Sequence, residues 1–394
     1  MKSVRNKIWI LIIGFAVIVA ACVESYTLEG VESNPNFLVV DGFIDATGRT
    51  AIVKLSRAIS LNGGRQYPAV SNARVAIESE SGDEIILEQV DLHQYPGYDT
   101  GTYLVQNLEI DASKQYKLTI GLNNGAGKKY ESDFVTVEKA APIESLEWDI
   151  LGENVRILVN TKESSENSRF YRWRYDETWE YNAPLYSTYY MDADKEMIFR
   201  PPTEQIYQCY REDPSFEILI GSSQNLSTNV LRNYPLRYIP RTSIKLSRLY
   251  SINVRQYGLT EEAYTYWLNL YKTTESTGGL FDPMPGQVFG NIHAVNASDD
   301  MVVGYFSAST VEEKRIFINR SDLPRGFLNY LQPFCDVDTV LIPDLEFEDP
   351  GTIFYNAIYD AMGFNIVGYT RSAPICLDCR RYGGGTLVKP EYWP

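Results

Sequence analysis

Leu249-Tyr-Ser-Ile-Asn-Val-Arg-Gln-Tyr-Gly-Leu-Thr260, running on into Glu261-Glu-Ala-Tyr-Thr-Tyr-Trp-Leu-Asn-Leu-Tyr271, holds the change of period on which the fold turns. In its first part Tyr250, Ile252 and Val254 alternate with Ser251, Asn253 and Arg255, the period of a strand with one buried and one wet face. Thr260 is suited to cap a helix, and Glu261 and Glu262 suit the positive end of its dipole. Ala263, Trp267, Leu270 and Tyr271 follow at helical spacing. Gly278-Gly279, Pro283 and Pro285 end the helix. Strand-like runs resume at Val302-Val-Gly-Tyr-Phe306 and Arg315-Ile-Phe-Ile318. The pattern predicts a helix inserted, near 260–277, between strands of one antiparallel sheet, with the strands before and after it sharing a core.

Outward from this stretch the chain reads as mainly β. Leu38-Val-Val40, Thr50-Ala-Ile-Val-Lys-Leu55, the alternating Ala73, Val75 and Ile77, Glu84-Ile-Ile-Leu-Glu88, Gly101-Thr-Tyr-Leu-Val105, Tyr116-Lys-Leu-Thr-Ile120 and 130–137 are short strands separated by turn signals. That spacing predicts a β-sandwich over 37–140. Its phrases Ala-x-Val-x-Ile, Gly-Thr-Tyr and Tyr-x-Leu-x-Ile resemble prealbumin-like or carboxypeptidase-regulatory-like sandwiches, and the expected class is a prealbumin-like or Ig-like β-sandwich. Lys139-Ala-Ala-Pro142 is a linker. Ile143-Glu-Ser-Leu-Glu-Trp148 and Val155-Arg-Ile-Leu-Val159 open a second β domain, 141–330, of fibronectin-III-like character, and 331–394 is a cysteine-containing C-terminal segment.

The most aromatic stretch is 170–190. Tyr171, Trp173 and Tyr175 share one parity and suit a core. Trp179, Tyr181, Tyr186, Tyr189 and Tyr190, interrupted by Pro184, read either as an exposed contact loop for sugar or protein or as a hairpin folded onto its own domain. The 29 tyrosines of the 394-residue chain otherwise fit β-sheet packing.

The N-terminus carries an address. Lys2, Arg5 and Lys7 precede an apolar run, and Val19-Ala-Ala-Cys22 has the form of a bacterial lipoprotein cleavage signal. The apolar stretch from Ile8 to Val23 is 16 residues, short of the ~20 that span a bilayer. Residues 1–21 are therefore expected to be a signal peptide, Cys22 the lipid anchor and 22–36 a tether. Cleavage would remove three basic residues and no acid, leaving 33 basic against 51 acidic residues and a formal charge of −18. Such a chain repels phosphate backbones, so nucleic acid is not an expected partner.

Four further cysteines, Cys209, Cys335, Cys376 and Cys379, suggest two disulfides in an exported protein, with three possible connectivities. Cys376-Leu-Asp-Cys379 also has the spacing of half a zinc site or a redox pair. No second pair stands at zinc spacing, and His93 and His293, the only histidines, are distant in sequence. The acidic run Asp344-Leu-Glu-Phe-Glu-Asp349 lacks calcium-loop spacing. No metal or cofactor is expected, and no hydrolase elbow, metalloprotease helix, P-loop or dinucleotide fingerprint is present to mark an enzyme.

The lipobox with Cys22-Val-Glu, Leu38-Val-Val-Asp-Gly42, Tyr250–Tyr257 leading into Leu259-Thr-Glu-Glu-Ala-Tyr264, Gly290-Asn-Ile292, Gly304-Tyr-Phe-Ser307, Lys314-Arg-Ile-Phe-Ile318, Cys376-Leu-Asp-Cys379, Gly384-Gly-Thr386 and Pro390-Glu-Tyr-Trp393 occur together. As a set they resemble a Bacteroidota lipoprotein family classed as a domain of unknown function, number forty-two forty-nine. The resemblance implies an outer-membrane lipoprotein, in either leaflet, working beside a TonB-dependent receptor, and it carries over no catalytic residues. The expected role is a non-enzymatic accessory or substrate-capturing partner. The alternatives are a surface hydrolase of glycans or peptides and a structural or assembly lipoprotein.

Overall fold

Alternating apolar residues build this chain into four β-sheets among the residues that the computed structural model describes, 37–58, 68–95, 97–162, 167–274, 288, 290–295, 301–330 and 332–394. The expected signal peptide, the tether and Cys22 lie outside these residues, as do Gly278, Gly279, Pro283 and Pro285. No helix among the described residues is long and apolar enough to cross a membrane.

Eight strands between Leu38–Asp45 and Val135–Glu138 join two strands from far down the chain, Ile292–Ala294 and Val302–Ser309, in one ten-stranded sheet. The sheet turns back on itself, because Val135–Glu138 pairs both with Val302–Ser309 and with Gln115–Gly121. Val40, Ile44, Val53, Leu55, Val75, Ile77, Leu118 and Phe306 fill its core.

The Val302–Ser309 strand departs from the expected arrangement. It runs parallel to Leu38–Asp45, from Leu38 opposite Val302 to Asp45 opposite Ser309, and is not in the sheet of Leu249–Leu259. Residues 141–330 thus supply strands to the N-terminal sheet as well as to a second unit. A period of two shows that a strand has an apolar face but not which core receives it. Here Gly304 decides: its φ is +145°, and a Cβ there would come within 1.9 Å of the Val40 carbonyl oxygen. The Asn291 side chain reinforces the docking by accepting from the Phe306 N–H at 2.9 Å and donating to its carbonyl at 2.8 Å.

The second unit packs the sheet of Ile143–Leu151, Asn154–Thr161 and Tyr234–Pro240 against that of Gln208–Pro214, Phe170–Asn182, Leu249–Leu259 and Val311–Asn319. Leu146, Val155, Ile157, Val159, Leu236 and Ile239 from the first meet Tyr171, Trp173, Tyr175, Tyr250, Ile252, Val254 and Ile318 from the second. The alternation of Tyr250, Ile252 and Val254 therefore reads correctly. Its expected wet face does not, since Ser251 and Asn253 are buried too. The C-terminal tail lies against this face: Tyr392 shares a hydrogen bond with Thr178 at 2.8 Å, and the Trp393 indole N–H donates to Glu180 at 3.1 Å.

The inserted helix spans Glu261–Thr274. Thr260 caps it, its hydroxyl accepting the Ala263 N–H at 3.1 Å. Ala263, Tyr266 and Trp267 are buried against Leu259 and Tyr305. Tyr271, expected inward, is exposed, because at ~100° per residue it lies off the edge of the stripe that Tyr266 completes.

Candidate partner-binding face

The fourth sheet forms a C-terminal lobe. Ile353–Tyr359 and Ile366–Arg371 make a hairpin, Asp338–Leu341 extends it on one side, and Tyr189–Met191 with Met197–Phe199 extends it on the other. Its core is small: Met191, Val340, Phe354 and Tyr369, with Tyr189, Met197, Leu345, Ala357 and Ile366 partly covered. A core of this size adds little stability by itself. Two disulfides hold the lobe: Cys335–Cys376, and Cys209–Cys379, which ties it to the second unit. All four cysteines pair, as the even count suggested, and no cluster among the described residues is arranged to hold a metal ion.

Large apolar side chains stand outside that core. Phe334, Phe347, Met362 and Phe364 are each more than three-quarters exposed, and Phe199, Leu341, Ile342 and Tyr359 are also exposed. Met362 and Phe364 sit on the tip of the hairpin, where the chain is held by its own hydrogen bonds. The Asp360 carboxylate accepts from the Phe364 N–H at 3.0 Å and from the Asn365 amide at 2.8 Å. Gly363, at φ +76°, donates its N–H to the Asp360 carbonyl at 2.9 Å. The Asn365 side-chain bond and then the backbone donors keep Asp360 below the usual carboxylate range. The tip thus presents two apolar side chains on an ordered turn, so little further ordering is needed on contact. Exposed apolar clusters of this kind mark interaction surfaces.

At the other end of the hairpin from this tip, beside Phe334 and Phe347, lies a cleft of about 1110 Å³ whose wall also includes Tyr190, Arg200, Arg371 and Arg380. Arg200 stacks 4.7 Å from the Tyr190 ring centroid, and burial lowers its pKa. Arg371 pairs with Glu348. Asp378 caps the Cys379–Gly383 helix and grips Arg380. Burial alone would raise the Asp378 carboxyl, but the hydrogen bonds and charge of Arg380 outweigh it and hold the pKa below the usual value.

The aromatic stretch is divided by the structure. Trp179 and Tyr181 are not on an exposed loop. They belong to the Phe170–Asn182 strand, are 3% and 0% exposed, and lie in the second unit's core. Their odd parity continues that of Tyr171, Trp173 and Tyr175, so the strand runs on past the point where a loop is expected. The Tyr181 hydroxyl donates to the Cys379 carbonyl at 3.0 Å and accepts the Gly385 N–H at 2.8 Å, pinning the C-terminal segment. Tyr186 is exposed and meets Tyr207 edge-on, Tyr189 packs between Phe199 and Tyr369, and Tyr190 lines the cleft. Trp179→Ala is accordingly expected to cost about 3–5 kcal/mol of stability. Partner binding by the protein that stays folded should be unchanged. Urea denaturation and co-purification separate the two effects, and a stable variant that loses its partner would put Trp179 back on the surface.

Phe334, Phe347, Met362 and Phe364 are not singled out by periodicity. The available signal is chemical: Asp360, Gly363 and Asn365 form a turn, and apolar Met362 and Phe364 stand where turns carry polar side chains.

Four sheets and two disulfides define a mainly β protein with large apolar side chains exposed on its C-terminal lobe. A family model described as "Domain of unknown function (DUF4249)" matches residues 23–315, well over half of the chain, and the chain belongs to that family. The match ends within the Val311–Asn319 strand, before most of the C-terminal lobe. No curated protein matches the chain.

Proposed function

We propose that this protein is a non-enzymatic lipoprotein, anchored in the outer membrane through lipid on Cys22, that serves a TonB-dependent receptor as an accessory or substrate-capturing partner. Within this reading the N-terminal unit is a prealbumin-like or Ig-like sandwich and the second a fibronectin-III-like domain. The observation that carries it is the pair Met362 and Phe364, each more than three-quarters exposed on a self-bonded tip, with Phe334 and Phe347 exposed at the other end of the same hairpin. The lipobox supports the choice of partner. Even fully extended, the 16 residues from Cys22 to Phe37 reach about 50 Å, which confines the folded body to the membrane that holds the receptor.

The test is recovery of the receptor from detergent-solubilised outer membranes with the tagged full-length protein. Met362→Glu with Phe364→Glu should reduce recovery about 30-fold if these are hot spots worth about 2 kcal/mol or more. The melting temperature should stay within about 2 °C, since neither side chain supports a core. Undiminished receptor recovery by the variant would refute the docking face. Binding of the lobe to protein-free lipid vesicles, with no receptor recovered, would assign the apolar array to the bilayer instead.

A further inference from the structure

A second cavity, of about 850 Å³, opens between the N-terminal sheet and the second unit, with Phe43, Tyr98, Arg172, Arg174, Phe216 and Tyr257 in its wall. Its cations differ in how they are used. Arg174 pairs with Asp41 at 3.2 Å, Arg255 with Asp176 at 2.7 Å, and Lys54 with Asp99. Of the three other acids lining it, Asp45 accepts from the N–H groups of Thr47 and Gly48, Glu313 accepts from Asn253, and Glu312 has no side-chain partner among the described residues. The Arg172 side chain has no hydrogen-bond or ion-pair partner among the described residues. Its guanidinium carbon instead lies over the Trp267 ring, 3.5 Å from the centroid. Burial and then the charge of Arg174 draw its pKa down to about 10, so it remains charged at neutral pH. In the same wall the Arg255 Nε is buried with no partner. A buried donor without an acceptor costs about 1–3 kcal/mol, which an incoming acceptor would return.

A guanidinium held by its face leaves its N–H edge free, and that edge matches the two oxygens of a carboxylate. Tyr257 and Phe43, edge to face at 5.1 Å, offer an apolar wall, and Phe216, 85% exposed, stands at the rim. We infer that this cavity binds a small ring-bearing carboxylate, with the carboxylate on Arg172 and the ring against Phe43, Tyr257 and Phe216. The site is on the far elements from the C-terminal lobe and does not depend on the docking proposal.

The experiment is calorimetric titration of the purified full-length protein in detergent with galacturonate, benzoate, neutral galactose and inorganic phosphate. Galacturonate or benzoate should bind at least tenfold more tightly than galactose and phosphate, and whichever binds identifies the ring as sugar or aromatic. Arg172→Lys should weaken that binding at least tenfold, because it keeps the charge and loses the paired N–H edge. Phe216→Ala, at an exposed position that folding does not require, should weaken it several-fold with no change in melting temperature. Phosphate binding as tightly as the carboxylates, no preference over galactose, or equal affinity in Phe216→Ala and Arg172→Lys variants would each overturn the assignment.

Discussion

Replacing Cys209 and Cys379 together by alanine should lower stability by about 3–5 kcal/mol. The bond closes 170 residues of sequence, so its loss frees a long loop in the unfolded chain. Both cysteines are also fully buried in the second unit's core, so truncation leaves a cavity. Cys335 and Cys376 are separated by 41 residues. Losing that bond should cost less, about 2–4 kcal/mol, with the loss felt chiefly in the C-terminal lobe. Thermal denaturation of the two double variants gives the order. A larger loss for the Cys335–Cys376 pair would mean that the lobe, and not the second unit, limits the stability of the whole.

Glu177→Ala should be about as damaging, at about 3–5 kcal/mol, for an electrostatic reason. Glu177 is 3% exposed between the two sheets of the second unit. Its carboxylate accepts from the Tyr250 hydroxyl at 2.8 Å, from Arg237 Nε at 3.2 Å and from Lys245. Lys245 also lies 4.5 Å from the Trp179 ring centroid, and Arg237 reaches Glu217 at 3.2 Å. Burial and then the Glu177 charge push the Tyr250 hydroxyl well above its usual pKa, so it stays a donor. Alanine removes the buried acceptor that Tyr250, Arg237 and Lys245 share, and leaves the two cations only their more exposed partners, Glu217 at 3.2 Å and Asp213 at 3.3 Å. Replacing Glu177 and Lys245 together by leucine removes a charge of each sign and should recover at least half of the loss. Urea titration followed by tryptophan fluorescence reads both, since Trp173 and Trp179 lie in this core. A loss below about 1 kcal/mol for Glu177→Ala would show that water replaces the carboxylate at little cost.

Local pattern was enough for several features because each depends on residues close together in sequence. The Thr260 cap and the helix after it follow from one turn of chain, and the alternation of Tyr250, Ile252 and Val254 is seen in their common core. The alternating Ala73, Val75 and Ile77 and the run Glu84-Ile-Ile-Leu-Glu88, close in sequence, pair as the hairpin of Arg74–Ser79 and Glu84–Gln89. The candidate site was much less accessible. Of the two readings of Trp179 and Tyr181, the packed one holds and the exposed loop does not, because exposure is a property of what packs on a strand, and their cover comes from Lys245, Arg211 and the Cys379–Gly383 segment. The same reason hid Arg172, whose stacking partner Trp267 and neighbour Tyr257 come from elements 85–95 positions away.

By itself the sequence determined the mainly β character, the capped helix between strands, the even set of cysteines and the family, since composition, period and motif are carried by the chain without reference to its contacts. Tertiary structure alone decided that Cys209 pairs with Cys379 and Cys335 with Cys376, that Val302–Ser309 leaves its neighbours to lie parallel to Leu38–Asp45, and that Phe334, Phe347, Met362 and Phe364 remain uncovered. Each of these is a choice among partners distant in sequence. Hydrophobicity and period favour many such partners equally, and only close packing, backbone approach at Gly304 and the reach of the cysteine side chains select one.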